Sequence, residues 1–320
     1  MPEPNVRKVA IVGCGFVGST IAFTLMQAGL YSEMVLIDVD RDRAEGEALD
    51  IAHGMPFGNP ASIYAGTYDD VADAGLIIIT AGANQRPGET RLDLVHKNVG
   101  IFKTIVPEIA KRGFSGIILV VSNPVDVLTY AAYKMSGLPA DRVFGSGTVL
   151  DTARFKYALG EKLGIDPRNV HARIIGEHGD SEIAVWSLAN VSGIALSDLF
   201  KLRGVDGSEE ELARIADDVK NAAYEIIEKK KATYYGIAMA VKRICEAIVR
   251  DEKPILTVSS CLTGEYGIDG VALSVPAVVG RDGVEYRVPA PMSDGELSAL
   301  RGSAATLKEV IDQVDFSVEG

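Results

Sequence analysis

Residues 8–19 read KVAIVGCGFVGS, a short apolar run followed at once by a G-x-G-x-x-G motif. This pattern predicts a buried strand, a tight turn and a helix over 19–28. Gly13, Gly15 and Gly18 would allow the turn itself, a close backbone approach to a pyrophosphate, and close packing of helix on strand. The start of the helix adds unpaired N–H groups that attract an anion. The stretch therefore predicts a dinucleotide-binding turn.

Asp38 ends the next predicted strand, over 34–39, and follows Gly18 by twenty residues. A carboxylate at this place accepts hydrogen bonds from the ribose hydroxyls of an adenosine and repels the extra phosphate of NADP. NAD is therefore the expected cofactor. The alternative interpretation is that Asp38 only caps the helix predicted over 41–52.

Similar apolar runs recur through the first half of the chain, at 76–81 and 116–122, with helical stretches between them. Strands that are apolar on both faces and alternate with helices are typical of a parallel sheet covered on both sides. The sequence therefore predicts an α/β fold, and its first part, residues 1–147, is expected to be a Rossmann domain with a doubly wound parallel sheet.

The second half of the chain has a different pattern. It predicts strands at 170–175, 255–260, 271–279 and 284–288, and helices at 209–228 and 233–249. The turn at 280–283 predicts an antiparallel hairpin, and Ser293 with Glu296 predict a capping box on the last helix. Residues 148–320 are therefore expected to form a mixed α/β (α+β) catalytic domain.

Composition excludes several classes of function. The chain has 320 residues, with 32 Lys+Arg against 44 Asp+Glu and a net charge of −12, which disfavours a nucleic-acid-binding surface. Its three cysteines and four histidines show no disulfide or metal-ligand spacing, so no metal is expected. The apolar runs are too short to span a bilayer, and the N-terminus lacks a signal-peptide core. We expect a cytoplasmic protein without membrane partners.

Three polar clusters carry candidate chemistry. The first is the Gly- and Pro-containing loop at 82–91, the second is Asp151 with Arg154, and the third is His178 within 176–180. Taken singly, they could be a solvated basic loop, a weak surface ion pair and a structural histidine. Together they offer a proton donor near neutral pH, a carboxylate to orient it, and a fork-shaped cation for a substrate carboxylate.

Four long motifs carry a resemblance to a known family. They are TAGANQRPGETRLDLV at 80–95, VSNPVDV at 121–127, GSGTVLDTARF at 145–155 and IIGEHGDSE at 174–182. With the phosphate turn, they make the chain resemble the NAD-dependent L-lactate dehydrogenases of the lactate/malate dehydrogenase family, of bacterial type, over essentially its whole length. The resemblance implies reversible hydride transfer between NADH and pyruvate in glycolysis and fermentation.

The resemblance also implies roles for single residues. His178 would give a proton to pyruvate, Asp151 would orient His178, Arg154 would clamp the substrate carboxylate, and Arg91 would polarise the carbonyl. Further substrate-pocket residues implied in this way are Gln85, Asn123, Asp126 and Thr233. The implied NAD groove consists of Gly13, Gly15, Val17, Gly18, Asp38, Arg43, Tyr68, Gly82, Ala83, Thr104, Val121, Ser122, Asn123 and Ser146.

The substrate side chain is the main open choice within this resemblance. Malate-specific relatives place an arginine where this chain has Gln85, and a neutral amide would leave the second carboxylate of oxaloacetate unpaired. Gln85 therefore favours pyruvate, although Arg86 lies next to it. Malate or another 2-hydroxy acid stays the alternative substrate, and a non-catalytic NAD-binding protein is the alternative from another class.

The resemblance further implies a homotetramer and allosteric activation by fructose 1,6-bisphosphate. The implied effector residues are Lys156 and His171, and Lys156 stands where an arginine is commoner, which keeps the charge but loses the bidentate fork. The alternative is that Lys156 is a solvated helix residue and His171 a strand residue at a subunit contact. By the same resemblance alone, Tyr224 would be a phosphorylation site, whereas a bare tyrosine carries little information.

Overall fold

A computed structural model describes residues 3–84 and 88–318 of the chain. Its strands are β1 (Asn5–Val12), β2 (Glu33–Ile37), β3 (Ser62–Ala65), β4 (Ala74–Ile79), β5 (Ile117–Val120), β6 (Val143–Gly145), β7 (Val170–His171), β8 (Ile174–Gly176), β9 (Glu182–Ala184), β10 (Asn190–Val191), β11 (Ile194–Ala195), β12 (Ile255–Thr263), β13 (Asp269–Gly280) and β14 (Gly283–Arg287). Its helices are α1 (Phe16–Ala28), α2 (Arg41–His53), α3 (Arg91–Lys111), α4 (Val125–Ser136), α5 (Val149–Leu163), α6 (Leu196–Arg203), α7 (Glu209–Lys230), α8 (Tyr235–Arg250) and α9 (Asp294–Ile311).

The first half forms a parallel sheet with the strand order β3-β2-β1-β4-β5-β6. Alternate residues of β1 face two separate cores: Val9 and Ile11 pack with α1, α2 and α8, whereas Ala10 and Val12 pack with α3 and α4. Burial on both faces explains why the strands read as continuous apolar runs. The predicted α/β fold with a Rossmann sheet is confirmed.

The second half extends the same sheet with antiparallel strands. β12 pairs with β6, β13 pairs with β12, and β8 and β9 continue the sheet beyond β13. β14 returns along β13 through Gly283, whose φ of +100° suits a glycine, so the predicted hairpin is confirmed. A small separate sheet has the order β11-β10-β7.

Several predicted bounds were wrong by a few residues. α1 begins at Phe16 and not at residue 19, because Gly15 already serves as its N-cap. The single strand predicted over 170–175 is two short strands, β7 and β8, which belong to different sheets. The capping box of α9 forms as predicted between Ser293 and Glu296.

The sheet order reverses between β1 and β4, and both strands run in the same direction. In an open parallel sheet, the crevice at the carboxyl ends of the strands beside such a reversal is where ligands bind. The glycine turn follows β1 at this edge, and the loop that contains the first polar cluster follows β4. Among the described helices, none is both long and apolar enough to cross a bilayer.

Candidate active site

The three glycines of the phosphate turn meet different surroundings. Gly13 has a φ of +104°, and a Cβ there would lie 2.5 Å from the Ala81 nitrogen. A Cβ on Gly18 would overlap the Gly13 carbonyl oxygen and would lie 2.8 Å from Thr80 Oγ1. A Cβ on Gly15, by contrast, would meet no described atom within 4 Å. Gly13 and Gly18 are therefore required by packing, and Gly15 borders open space.

The start of α1 also borders this space. Within the described part of the chain, no side chain hydrogen-bonds to the α1 cap, so the first N–H groups of α1 keep their positive potential. The helix also has no acidic residue in its first turn to offset that potential. The turn can therefore accept an anionic group, as the sequence motif predicted.

Asp38 lies directly after β2 and binds the glycine turn. Its Oδ2 accepts a hydrogen bond of 2.6 Å from the backbone N–H of Cys14, and its Oδ1 accepts one of 2.9 Å from Asp40 N. The N-cap of α2 is Asp40, whose side chain accepts a hydrogen bond from Arg43 N. The alternative interpretation of Asp38 as the helix cap is therefore wrong, and its carboxylate stays half-buried at the strand edge.

The other residues of the implied NAD groove come from several elements. Gly82 and Ala83 follow β4, Val121 to Asn123 follow β5, and Ser146 follows β6, so these residues lie at the carboxyl edge of the sheet. Val17 opens α1, Arg43 is exposed in α2, and Tyr68 is half-buried after β3. Thr104 is exposed on α3, about 20 Å along that helix from its start. The Asn123–Pro124 peptide bond is cis.

Asn98 joins two of these edge segments, and sequence reasoning missed it. Its Oδ1 accepts from Ala83 N at 2.8 Å, and its Nδ2 donates to Ala83 O at 3.1 Å and to Asn123 O at 2.7 Å. The side chain is buried on the apolar face of α3 beside Val95 and Val99. An amide at core spacing on a helix was the signal that could have found it.

His178 and Arg154 bind opposite oxygens of one carboxylate. Nδ1–H of His178 donates to Oδ2 of Asp151 at 2.6 Å, and an Nη of Arg154 donates to Oδ1 at 2.8 Å. Asp151 and Arg154 lie one turn apart on α5, and His178 lies in the loop after β8. The structure thus brings together the second and third sequence clusters, and the Nδ1 contact leaves Nε2 of His178 as the nitrogen available to a ligand.

The electrostatics of this group favour a charged histidine. Burial opposes charge on His178, but the Asp151 carboxylate outweighs it, and with help from Asp126 and Glu182 the pKa rises from 6.5 to about 9. Burial also acts to raise the pKa of Asp151, yet its contacts with His178 and Arg154 hold that pKa below its usual range. The pair is therefore an imidazolium and a carboxylate at neutral pH.

Asp126 holds the backbone of His178. Its Oδ2 accepts from His178 N at 2.8 Å, and its Oδ1 accepts from Ser259 Oγ at 2.6 Å. The carboxyl is buried, and burial raises its pKa although both hydrogen bonds act against that rise. The place of Asp126 in the substrate pocket, which the resemblance implies, stays a prediction; the structure shows that both of its oxygens accept hydrogen bonds from the protein, one of them from the backbone of His178. Ser259, a polar residue within an apolar strand, was not predicted.

Arg91 begins α3 and pairs with a buried carboxylate. Its guanidinium forms an ion pair with Glu177, whose side chain is only 1% exposed, and lies 3.9 Å from Asp180 Oδ2. Glu177 also accepts a hydrogen bond of 2.5 Å from Ser181 Oγ, and its backbone N–H donates to Ser303 Oγ at 2.9 Å. Arg91 therefore reaches the residue next to His178, and Glu177 is its countercharge.

Of two further residues of the implied substrate pocket, the structure describes only one. Thr233 is half-buried in the short connection between α7 and α8. Gln85, on which the choice between pyruvate and oxaloacetate depends, lies outside the described residues, as does Arg86.

The implied effector residues are accompanied by an unpredicted cation. Lys156 is half-buried on α5, and burial followed by the charge of Arg173 lowers its pKa. Arg173 is also half-buried, burial lowers its pKa, and no carboxylate among the described residues acts to raise it. His171 is exposed on β7, two residues before Arg173. Two half-buried cations that repel each other can receive an anion.

Asp151, His178 and Glu182 each bring one potential metal-ligand atom within 4.8 Å of the others. Nδ1 of His178 and Oδ2 of Asp151 already bond each other, and Oδ1 of Asp151 is bound by Arg154. The grouping is therefore explained by the proton-carrying pair, and we assign no metal to it.

Family models match both halves of the chain. The model of the lactate/malate dehydrogenase NAD-binding domain matches residues 7–145, and the model of the lactate/malate dehydrogenase alpha/beta C-terminal domain matches residues 148–317. Together they cover the described catalytic residues and every residue of the implied NAD groove except Ser146, which lies between the two matched ranges.

Similar proteins are known over the full length. The chain is 56% identical to an L-lactate dehydrogenase of Acetivibrio thermocellus, covering 97% of this chain and 98% of the relative, and 54% identical to one of Thermoanaerobacterium saccharolyticum, covering 97% and 100%. The crystal structure of the minor L-lactate dehydrogenase of Enterococcus mundtii with bound ligands superimposes with a TM-score of 0.94 at 48% identity, covering 97% of this chain and 99% of that one.

Proposed function

The chain belongs to the lactate/malate dehydrogenase family, and from that premise we propose that it is an NAD-dependent L-lactate dehydrogenase. The reaction is (S)-lactate + NAD⁺ ⇌ pyruvate + NADH + H⁺. The observation that carries the proposal is the His178–Asp151–Arg154 group, in which one carboxylate holds both a proton donor and a cation suited to a substrate carboxylate. The full-length similarity to L-lactate dehydrogenases supports the same substrate.

NAD fits the phosphate turn and the edge beside it. Open space borders Gly15, where a Cβ would meet no described atom, and the start of α1 offers N–H groups to the phosphates. Asp38, directly after β2, would accept hydrogen bonds from the ribose hydroxyls. When bound, NADH supplies the hydride for the carbonyl carbon. Binding at the carboxyl edge, beside the loop after β4, would place the cofactor close to the start of α3, where Arg91 lies.

The protein's part in the reaction is proton transfer, orientation and charge stabilisation. His178 gives its Nε2 proton to the carbonyl oxygen, and Asp151 holds the ring and stabilises its charged form. One Nη of Arg154 bonds to Asp151, and the other N–H groups of its guanidinium bind the substrate carboxylate at two points. Arg91 polarises the carbonyl, which requires it to share its guanidinium between Glu177 and the substrate.

Pyruvate is the proposed substrate and oxaloacetate the competitor. Gln85 is a neutral residue where a second carboxylate needs a positive one. The test is spectrophotometric: NADH oxidation is measured with pyruvate and with oxaloacetate for the unaltered enzyme and for Gln85→Arg. We expect a strong preference for pyruvate that shifts toward oxaloacetate in the variant. Comparable efficiency of the unaltered enzyme on both substrates would contradict the lactate assignment.

The catalytic role of His178 is tested separately from binding. In His178→Asn, we expect pyruvate reduction to fall by about 10²–10⁴-fold while NADH still binds, because the variant removes only the proton donor. Binding is followed by NADH fluorescence. Loss of both activity and NADH binding would point to a structural role for His178, and would favour a non-catalytic NAD-binding protein only if the unaltered chain were also inactive.

Fructose 1,6-bisphosphate is the proposed activator, bound by Lys156 and His171. The half-buried, unpaired charge of Arg173 beside Lys156 supports an anion at this place. Pyruvate saturation curves are measured with and without the bisphosphate for the unaltered enzyme and for Lys156→Gln. We expect the activator to lower the pyruvate concentration at half-saturation, and the variant to lose that response. Superimposed curves for the unaltered enzyme would remove the effector site.

A homotetramer is the proposed assembly, and cytoplasm is the proposed location. Large apolar side chains are exposed on α1, α2 and α8, namely Phe16, Phe23, Leu49 and Met239, and Phe57 is exposed shortly after the end of α2. Apolar side chains of this size on several helices are a reason to expect subunit interfaces. Size-exclusion chromatography with light scattering measures the mass in solution: we expect four chains, and a monomer at micromolar concentration would contradict the assembly. Tyr224 is exposed on α7, and its modification stays a prediction.

A further inference from the structure

Glu182 lies against the His178–Asp151 pair, and the proposed reaction gives it no role. It begins β9, where it pairs with Gly176 of β8. Gly176 precedes His178 by two residues, so the strand pairing holds Glu182 close to His178. Its carboxyl lies with the ligand atoms of His178 and Asp151 inside a 4.8 Å group. Its Oε1 is buried and has no hydrogen-bond partner in the described part of the chain. A carboxylate in this state is costly.

The charges around Glu182 come from three elements. Asp151 and Arg154 face it from α5, His178 faces it from the loop after β8, and Lys220 faces it from α7. Burial and the like charge of Asp151 raise the pKa of Glu182 to about 8, although His178, Arg154 and Lys220 act in the opposite direction. Glu182 therefore keeps its proton through the neutral range and releases it under alkaline conditions.

We propose that Glu182 is a positioning residue for His178, which keeps the proton donor charged as the solution becomes alkaline. The inference rests on the proposed function, because it concerns the pH range of pyruvate reduction. Glu182 exchanges no proton with the substrate in this account. His178 transfers its own Nε2 proton to the carbonyl oxygen, the hydride goes to the carbonyl carbon, and the neutral imidazole is recharged from solvent.

The order of the two titrations explains the effect. At neutral pH the site holds a carboxylate on Asp151, an imidazolium on His178 and a neutral carboxyl on Glu182. As pH rises, Glu182 is the first to ionise. The new negative charge stands beside the imidazolium and raises the pKa of His178, so the loss of the donor proton is delayed. Asp126, bonded to the backbone of His178, also acts to raise the pKa of His178.

Glu182→Gln is a sharp test because an amide imitates the protonated carboxyl in shape and charge but cannot ionise. We expect kcat/KM for pyruvate to stay within about twofold of the unaltered enzyme at pH 6. At pH 10 it should fall to about a third of the value of the unaltered enzyme, since the alkaline limb moves to lower pH by about half a unit. Glu161→Gln is the matched control: it removes one carboxylate from the exposed surface of α5, and its profile should superimpose on that of the unaltered enzyme.

Two results would overturn the inference. One is a Glu182→Gln profile that superimposes on that of the unaltered enzyme; the other is a uniform loss at every pH, which is what a merely structural residue would produce. If the unaltered enzyme reduces no pyruvate, the proposed function falls first, and this inference falls with it. If it reduces pyruvate and the profiles superimpose, only the inference falls.

Infrared spectroscopy provides a readout that does not need turnover. The difference spectrum between the unaltered protein and Glu182→Gln at pH 7 should show the carbonyl stretch of one protonated carboxyl, and this band should vanish by pH 10. Its absence at pH 7 would mean that Glu182 is ionised there, and the inference would be wrong. Thermal unfolding at pH 6 checks that Glu182→Gln is folded, and Glu182→Asp provides a second variant that can still ionise.

Discussion

Nδ1 of His178 lies 2.6 Å from Oδ2 of Asp151, and this bond joins residues 27 positions apart in the chain. Asp151 sits in the first turn of α5, while His178 follows β8, which the β12–β13 pair holds in the sheet. The bond fixes the ring orientation and raises the pKa of His178 at the same time. One carboxylate therefore both orients the ring and contributes to its proton affinity.

Asp151→Asn tests that dependence. The amide keeps the shape but removes the charge, so we expect kcat/KM for pyruvate to fall by about 10²–10⁴-fold, and the alkaline limb of its pH profile to move to lower pH. NADH affinity should be unchanged. Asp141→Asn, on the exposed turn before β6, is the control with the same loss of charge. A variant with normal turnover would show that Asp151 neither orients nor charges His178.

The raised pKa of His178 also makes stability depend on pH. Since the pKa rises from 6.5 to about 9 on folding, the charged histidine stabilises the folded state fully below pH 6.5, and this contribution is lost as pH rises through about 9. We expect the difference in unfolding free energy between the unaltered protein and His178→Asn to be largest at pH 6 and smallest above pH 9. Denaturant unfolding at one protein concentration measures it; a constant difference would contradict the shift.

The phosphate-turn glycines should separate folding from binding. Gly18→Ala places a Cβ into the Gly13 carbonyl, so we expect the protein to lose about 1–3 kcal/mol of stability. Gly15→Ala adds a Cβ in open space, so its stability should stay within about 0.5 kcal/mol. Because the cofactor needs that space, its NADH Kd should rise about tenfold or more. Thermal unfolding and NADH fluorescence measure the two effects, and a Gly15→Ala variant with unaltered NADH affinity would place the pyrophosphate elsewhere.

The Asn98 side chain should contribute both to the stability of the fold and to the binding of NADH. Asn98→Ala removes the three hydrogen bonds that hold Ala83 and Asn123, so we expect a loss of about 1–3 kcal/mol and a higher KM for NADH. Asn221→Ala is the control, since the exposed Asn221 side chain bonds, among the described residues, only to Asp217 O of its own helix. Equal effects of the two substitutions on NADH KM would mean that Asn98 does not organise the edge of the sheet.

Much of the fold was predictable because its signals are local. The continuous apolar strands and the glycine motif predicted the parallel sheet, and Ser293 with Glu296 predicted the start of α9, since both depend on neighbours in the chain. The bounds of α1 and the split at 170–175 were not predicted. The first depends on a glycine N-cap, and the second on which sheet each half joins, which is a tertiary property.

In the candidate site, too, some features were predictable from the sequence and others depended on the tertiary structure. The sequence by itself determined the residue types: the resemblance marked His178, Asp151 and Arg154, and the motifs contain them in recognisable order. Only the tertiary structure decided that Asp126 holds a backbone, that Asn98 joins two loops, and that Asp40 rather than Asp38 caps α2. The proton affinities of His178 and Glu182 were also decided there, because a pKa responds to burial and to charges brought near by folding, and no spacing along a chain encodes them.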